Sequence, residues 1–246
     1  MGTVKSTVFG LTGSGLKLIA IVCMLIDHIA WAFVDTLSPL GFGMHLIGRI
    51  TAPVICFMLA EGYRYTRSFP RYLGRVAVFA VLSYLPFIYF LTGSLPDGSS
   101  FLSLNMLYTL ALCLLALRAD ERLNGSDRYA ALVLLGLLSL FGDWPVVALL
   151  YTLNFARNRR DFPRMVRNFA WITVGFVLAF GYQYGQMGMG PMEIWGNIGF
   201  QFGTLLALPL IRLYNGQKGQ NIGGKWLFYL FYPVHLTLIA LLRWGI

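Results

Sequence analysis

The chain has 246 residues, a formal net charge of +9, and a composition that is 57% hydrophobic and 12% charged. Soluble domains carry about 25% charged residues, so this composition excludes an ordinary soluble protein. Its repeated apolar runs of membrane-spanning length indicate an all-α, polytopic helical membrane protein. The basic residues punctuate the gaps between those runs, so membrane topology explains the charge and no nucleic-acid partner is expected.

We predict about nine transmembrane helices in a single domain that covers residues 1–246. The first run contains Asp27 and His28 and is too long for the apolar part of a signal peptide, so we interpret it as a retained helix. The predicted helices cover 16–35, 44–61, 72–91, 102–118, 129–141, 143–156, 166–184, 193–211 and 225–244.

Basic residues occupy alternate gaps between these helices, at 64–75, 118–128, 157–167 and 212–225. No Lys or Arg occurs in the other connections, which are 36–43, 92–101, 142 and 185–192. The positive-inside rule therefore places the N-terminus in the cytoplasm and the C-terminus outside, in a multi-pass protein of the inner membrane.

Two of the predicted helices, 129–141 and 143–156, are short for a membrane crossing. Merging them into one helix would invert everything downstream and place the arginines of 157–167 outside. We therefore predict a short hairpin that is broken at Gly142, Asp143, Trp144 and Pro145.

Ionisable groups at bilayer depth are costly and usually functional, which singles out Asp27 and His28 in the first helix. At about 1.5 Å per residue, His28 lies about 18 Å from the cytoplasmic boundary, Arg49 about 22 Å and His235 about 15 Å. Asp27, His28 and Arg49 can thus share one level. Adjacent helical residues point about 100° apart, so we expect Asp27 to hold Arg49 or a neighbouring helix while His28 faces a substrate.

Each polar group also has a structural interpretation. The Asp27 and His28 pair would fill a polar gap between helices, and Arg49 would only neutralise Asp27. We interpret His45 as an interfacial residue, and Tyr232 to His235 as a proline kink or a site. The arginines of the gap at 64–75 would set topology alone.

Other chemistries find little support in the sequence. Cys23, Cys56 and Cys113 fall inside apolar segments, so we expect buried thiols and neither a disulfide framework nor a metal site. The sequence contains no nucleophile elbow, HExxH, P-loop or GxGxxG motif. A histidine in a low-dielectric site, by contrast, suits general-base catalysis.

Four segments, in order, resemble the TraX family, namely LKLIAIVCMLIDHIAWAF, LIGRITAPVICFMLAEGYRYTRS, RYLGRVAVFAVLSYLPF and FYPVHL. Asn105 with Tyr108, Thr109 and Leu110 looks like that family's fourth-helix pattern. The resemblance implies an integral-membrane acetyltransferase linked to N-terminal acetylation of pilin, similar to the broader class of transmembrane acyltransferases. It implies acetyl-CoA as co-substrate and His28 as the catalytic histidine.

On this hypothesis Asp27 and Arg49 complete the catalytic group, with Arg49 stabilising the oxyanion. The cytoplasmic arginines would bind the phosphates of CoA. Direct transfer and an acetyl-histidine intermediate both stay open. The acceptor would be a pilin-like peptide, a glycan, a lipid or a small amine. The residues expected to bind the cofactor are Glu61, Arg64, Arg67, Arg71, Arg75, Tyr232 and His235.

Two other functions remain open at this point. A proton-coupled transporter would use the Asp-His-Arg path as a relay, although no inverted repeat is visible. A non-catalytic chaperone of pilus assembly would have no binding site for acyl-CoA.

Overall fold

The computed structural model describes residues 10–220 and 226–245, so Lys5 and Lys225 lie outside the described residues. The described part is all-α, as predicted, and contains no β-strand. Its helices are α1 Gly13–Phe33, α2 Pro39–Gly48, α3 Thr51–Tyr65, α4 Phe69–Leu82, α5 Tyr84–Thr92, α6 Met106–Arg122, α7 Gly125–Leu138, α8 Val147–Arg157, α9 Phe162–Gln186, α10 Pro191–Ile198, α11 Ala207–Arg212 and α12 Leu227–Trp244.

Six stretches in the described ranges are long and apolar enough to cross a membrane, so this is a membrane protein. The count of nine spans is not confirmed, because α6, α7 and α8 are each shorter than 18 residues. The six stretches are Gly13–Phe33, Pro39–Tyr65, Phe69–Thr92, Phe162–Gln186, Pro191–Arg212 and Leu227–Trp244.

Prolines interrupt helices that the sequence analysis treated as continuous. The break between α2 and α3 falls at Arg49, four residues before Pro53, and the break between α4 and α5 follows Leu82, four residues before Pro86. A proline has no amide hydrogen for the carbonyl four residues earlier, and its ring crowds that carbonyl. The predicted helices 44–61 and 72–91 are therefore each interrupted once ahead of a proline, and each still lies within one stretch long enough to cross a membrane. The predicted helix 193–211 is instead divided by a 3₁₀-helical segment, Gly199–Leu206.

The short hairpin between α7 and α8 is confirmed. The Tyr108 hydroxyl, near the start of α6, donates to the carbonyl of Leu138 at the end of α7 (3.1 Å). At the other end of α6, Asp120 accepts a hydrogen bond from Arg157 at the end of α8 (2.5 Å). The two helices thus run in opposite directions beside α6. Their connection turns inside the bundle, because Asp143 lines an interior cavity.

The basic gaps gather on one side of the bundle. Arginines from the gaps after α3, α6 and α8 line a common cavity. The start of α1 lies beside the gap after α11, where the Leu11 and Gly13 amides donate to the carbonyls of Leu213 and Gln217 (both 2.8 Å). This arrangement agrees with the alternation of charge in the sequence. The assignment of that side to the cytoplasm stays a prediction.

Candidate functional site

Asp27 of α1 is the centre of a buried polar cluster. Its carboxylate accepts hydrogen bonds from Nδ1 of His45 (2.9 Å) and from a terminal nitrogen of Arg49 (2.5 Å). His45 is fully buried and Arg49 is 7% exposed. His45 lies in the last turn of α2 and Arg49 directly follows that helix. Because the two donors are four residues apart, their side chains lie on the same face of the helix. A buried charge is tolerated when it is paired and hydrogen-bonded, and the Asp27 carboxylate has both an ion-pair partner in Arg49 and a hydrogen-bond donor in His45.

His45 thus belongs to the site, and the expectation of an interfacial residue was wrong. Its ring packs against Trp31 and Phe200, with centroid distances of 4.4 and 5.0 Å. The four-residue spacing between His45 and Arg49 was the signal in the sequence that could have identified it. The guanidinium of Arg49 lies over the rings of Phe200 and Trp144, at 5.2 and 5.4 Å, which orients its remaining N–H groups.

His28 is joined to His235 in a second polar unit. Nδ1 of His28 lies 2.9 Å from the carbonyl of Met24 and 3.1 Å from Nε2 of His235. Nδ1 of His235 lies 2.7 Å from the carbonyl of Phe231. A carbonyl only accepts, so Nδ1 of His235 carries the hydrogen and its Nε2 is an acceptor in the neutral ring. Both neighbours of His28 Nδ1 are then acceptors, and this nitrogen must be the donor.

The contacts therefore define the tautomer of His28. With the hydrogen on Nδ1, the unprotonated Nε2 is the basic nitrogen of the neutral ring. Within the described ranges no side chain or backbone group donates a hydrogen bond to this Nε2. The ring also meets Phe90 edge-on, with centroids 5.3 Å apart. His28 thus presents an available base beside a cavity.

That cavity, which we call the inner cavity, has a volume of about 420 Å³. Asp27, His28 and Arg49 lie on its wall together with Asp143 and Tyr232. The remaining wall also contains Thr51 and Arg243 but is otherwise apolar or aromatic, with Met24, Trp31, Gly48, Ala52, Ile55, Phe87, Phe90, Leu91, Met106 and Trp144. A mostly apolar cleft with a few converging polar groups is typical of a small-molecule site.

A second cavity of about 820 Å³, which we call the basic cavity, opens among the basic gaps. Glu61 on its wall is 4% exposed and accepts two hydrogen bonds from Arg159, at 2.5 and 3.1 Å. The hydrogen bond with Glu61 raises the pKa of the Arg159 guanidinium. The arginines that line this cavity are Arg64, Arg67, Arg118, Arg122, Arg157 and Arg159, with Asp120 and Glu121 as further acidic groups.

The two cavities share no lining residue. Between their α3 walls, Cys56, Phe57 and Leu59 are each no more than 5% exposed and belong to the hydrophobic core. The polar path that the sequence suggested is therefore interrupted by apolar packing in the described part of the chain.

The structure divides the predicted site residues among three locations. Asp27, His28, Arg49 and Tyr232 line the inner cavity, and His235 packs behind His28. Three lie in the basic cavity, which are Glu61, Arg64 and Arg67. Two line neither cavity, which are Arg71 and Arg75. Arg75 instead lies over the ring of Tyr72, 5.7 Å from its centroid.

Three residues that line the inner cavity were not predicted as site residues, which are Asp143, Trp144 and Arg243. Asp143 was visible as a lone carboxylate between two apolar segments, a signal that was used only to place the hairpin turn. Arg118, Arg122 and Arg157 were likewise noted for topology and not for a site.

The helices and the buried polar clusters together define a class, a helical membrane protein with a polar interior cavity. Within that class the chain belongs to the TraX family, because the family model described as "TraX protein" matches residues 12–243. It is also similar to a protein of Dichelobacter nodosus named "Probable fimbrial assembly protein FimC, serogroup H1". The two are 32% identical over 231 residues, which are 92% of this chain and 93% of that protein. No solved structure matches the chain.

Proposed function

We propose that this protein is an inner-membrane acetyltransferase that moves an acetyl group from cytoplasmic acetyl-CoA to an amine or hydroxyl acceptor. The observation that carries the proposal is the orientation of His28. Its Nδ1 is engaged by His235 and Met24, which leaves Nε2 as a base on the wall of a cavity that also contains Arg49. An oriented imidazole with a free nitrogen on the wall of a cavity suits general-base catalysis.

The proposed reaction follows from the positions of these groups. Nε2 of His28 accepts the proton of the acceptor, whose nitrogen or oxygen attacks the thioester carbonyl. The new bond to carbon forms, the carbon–sulfur bond breaks, and the CoA sulfur leaves as a thiolate that takes up a proton. Arg49 donates to the oxygen on which negative charge develops. Asp27 and His45 hold Arg49 in place and do not contact the reacting atoms.

The basic cavity supports binding of acyl-CoA, because its guanidinium groups suit the phosphates of the cofactor. On this proposal Arg64 and Arg67 bind those phosphates together with Arg118, Arg122 and Arg157, while Arg71 and Arg75 do not. The pantetheine arm then has to pass the apolar packing around Phe57 to reach His28. The proposal therefore includes an opening of this wall when acyl-CoA binds.

The family and the fimbrial assembly relative support a role in pilus assembly. We propose a pilin-like peptide as the acceptor, with a glycan, a lipid or a small amine as the alternatives that an acceptor screen would separate.

The direct test is acetyl transfer by the purified full-length protein from labelled acetyl-CoA, with His28→Ala beside the wild type. General-base catalysis typically contributes about 10²–10⁴ in rate, so we expect at least a hundredfold loss in the variant. Stabilisation of the fold by CoA, measured as a shift in melting temperature, should persist because His28 lies outside the basic cavity. Full transfer activity in His28→Ala would overturn the catalytic assignment.

The contact between His28 and His235 also supports a second candidate, a proton-coupled transporter in which the imidazoles relay a proton. Flux into proteoliposomes without consumption of acetyl-CoA would favour it over the transferase. A non-catalytic pilus-assembly chaperone predicts neither flux nor stabilisation by CoA.

A further inference from the structure

Asp143 places a second carboxylate on the wall of the inner cavity. Unlike Asp27, it has no Arg, Lys or His nitrogen within 4.0 Å among the described residues. The nearby Arg49 directs its short contact to Asp27. The charges in the cavity wall are thus a neutral Asp27–Arg49 pair, an unpaired carboxylate, and Arg243 at the end of α12.

The position of Asp143 is closely determined by its surroundings. Its amide donates to the carbonyl of Leu104 (2.9 Å), and its carbonyl accepts from the Thr109 hydroxyl (2.7 Å). The next residues adopt left-handed backbone conformations, with φ of 57° at Trp144 and 60° at Val146. Such angles are unfavourable for a β-branched or bulky residue and persist only where the surroundings enforce them, most often at functional sites.

Trp144, the residue after Asp143, packs against both Phe176 and Arg49. Its indole stacks on Phe176, with centroids 6.0 Å apart and planes at 15°, and its face covers Arg49. The turn thus holds Arg49 against Asp27 and presents the carboxylate of Asp143 to the cavity. A carboxylate without an ion-pair partner is unfavourable in a cavity wall that is mostly apolar, and a cationic ligand would supply that partner.

We propose that Asp143 is the specificity residue for the acceptor and binds it as a primary ammonium group. This inference rests on the proposed function. The ammonium forms an ion pair with Asp143, and Nε2 of His28 removes one of its protons. The resulting amine attacks the thioester, the carbon–nitrogen bond forms and the carbon–sulfur bond breaks. The second proton of the nitrogen goes to the departing sulfur, and His28 later releases its proton to water. A neutral hydroxyl acceptor would gain no comparable ion pair.

The test compares two probes of nearly the same shape, 2-phenylethylammonium and 2-phenylethanol, whose aromatic ring suits a cavity lined by Trp31, Phe87 and Phe90. Their affinities for the detergent-purified full-length protein are measured by calorimetry at neutral pH. Charged hydrogen bonds favour the ammonium, so we expect at least about tenfold tighter binding than the alcohol in the wild type. Equal affinities in the wild type would overturn the proposal without any variant.

Asp143→Asn keeps the shape of the side chain and should abolish the preference for the ammonium. The matched control is Asp97→Asn, which removes an exposed carboxylate that bonds Ser99 and Ser100 in the loop after α5 and should retain the preference. A preference that survives in Asp143→Asn would also overturn the proposal.

Stabilisation by CoA alone is measured in the same three proteins, because it reports on the basic cavity and not on Asp143. Loss of the ammonium preference with intact CoA stabilisation supports Asp143 as the specificity residue. An ammonium preference without any CoA stabilisation would overturn the transferase while leaving the amine site in place.

Discussion

Nε2 of His235 lies 3.1 Å from Nδ1 of His28, although the two residues are 207 positions apart in the chain. Each ring is also bonded through Nδ1 to the carbonyl four residues before it in its own helix. Neither imidazole can therefore change its tautomer without losing a contact in the interior. His235 acts on the chemistry through His28, and on our proposal it is a positioning residue.

Replacing His235 separates this role from simple packing. His235→Phe removes the acceptor for the His28 Nδ1–H group and should lower acetyl transfer at least about tenfold, a part of what the base contributes. It should also alter the pH dependence of kcat. His235→Gln offers an amide oxygen in place of Nε2 and should recover part of the rate. If His235→Phe and His235→Gln had the same activity as each other, and the pH dependence of kcat matched that of the wild type in both, His235 would have a packing role alone.

The close approach of α1 and α2 depends on Gly48. A Cβ atom there would lie 2.3 Å from Cβ of Asp27, so Gly48→Ala must displace the polar cluster. We expect a loss of about 1–3 kcal/mol in the free energy of unfolding, as for other overpacked positions. Gly43→Ala on the same helix is the control, since a Cβ there meets nothing within 4 Å. Thermal melting in detergent measures both, and a similar loss in the two variants would contradict this packing argument.

Breaking the buried Asp27–Arg49 pair should cost far more stability than breaking an exposed pair, because it leaves one charge in the interior without its partner. Arg49→Met leaves a carboxylate in the interior with only His45 as a partner, and we expect a loss of about 3–5 kcal/mol. Adding Asp27→Asn to this variant should restore part of the stability, because no buried charge then remains. Arg164→Gln is the control, because it breaks an exposed pair with Asp161 worth about 0–1 kcal/mol. Equal effects in the two single variants would exclude a buried charge pair.

The basic cavity makes a prediction about which arginines bind CoA. Arg67→Gln and Arg122→Gln each remove a lining charge and should weaken CoA binding about fivefold, with a reduced dependence on salt. Arg71→Gln removes the same charge from a residue that lines neither cavity and should change the affinity less than twofold. Titration calorimetry with CoA at two salt concentrations measures all three. An equal loss in Arg71→Gln would indicate a general field effect and no defined site.

The positions of Pro53 and Pro86 could have predicted where two helices break. Each proline stands four residues after the break, as expected because a proline cannot donate to the carbonyl four residues before it. The break before Pro53 places Arg49 at the junction of α2 and α3, where it reaches Asp27. In α12, by contrast, Pro233 lies inside a helix that continues, so the rule alone does not decide each case.

The sequence by itself determined the all-α membrane class, the alternation of basic gaps and the α7–α8 hairpin. These features follow from the cost of exposing polar groups to lipid, which depends on local composition and on rise along a helix. Rise along a helix gives the position of a residue along the membrane normal, and on this basis Asp27 and Arg49 were predicted to share a level. Only the tertiary structure decided which groups at that level touch. The contacts of Asp27 with His45, of His28 with His235, and the exposure of Asp143 to the inner cavity depend on helix rotation and on packing between segments far apart in the chain.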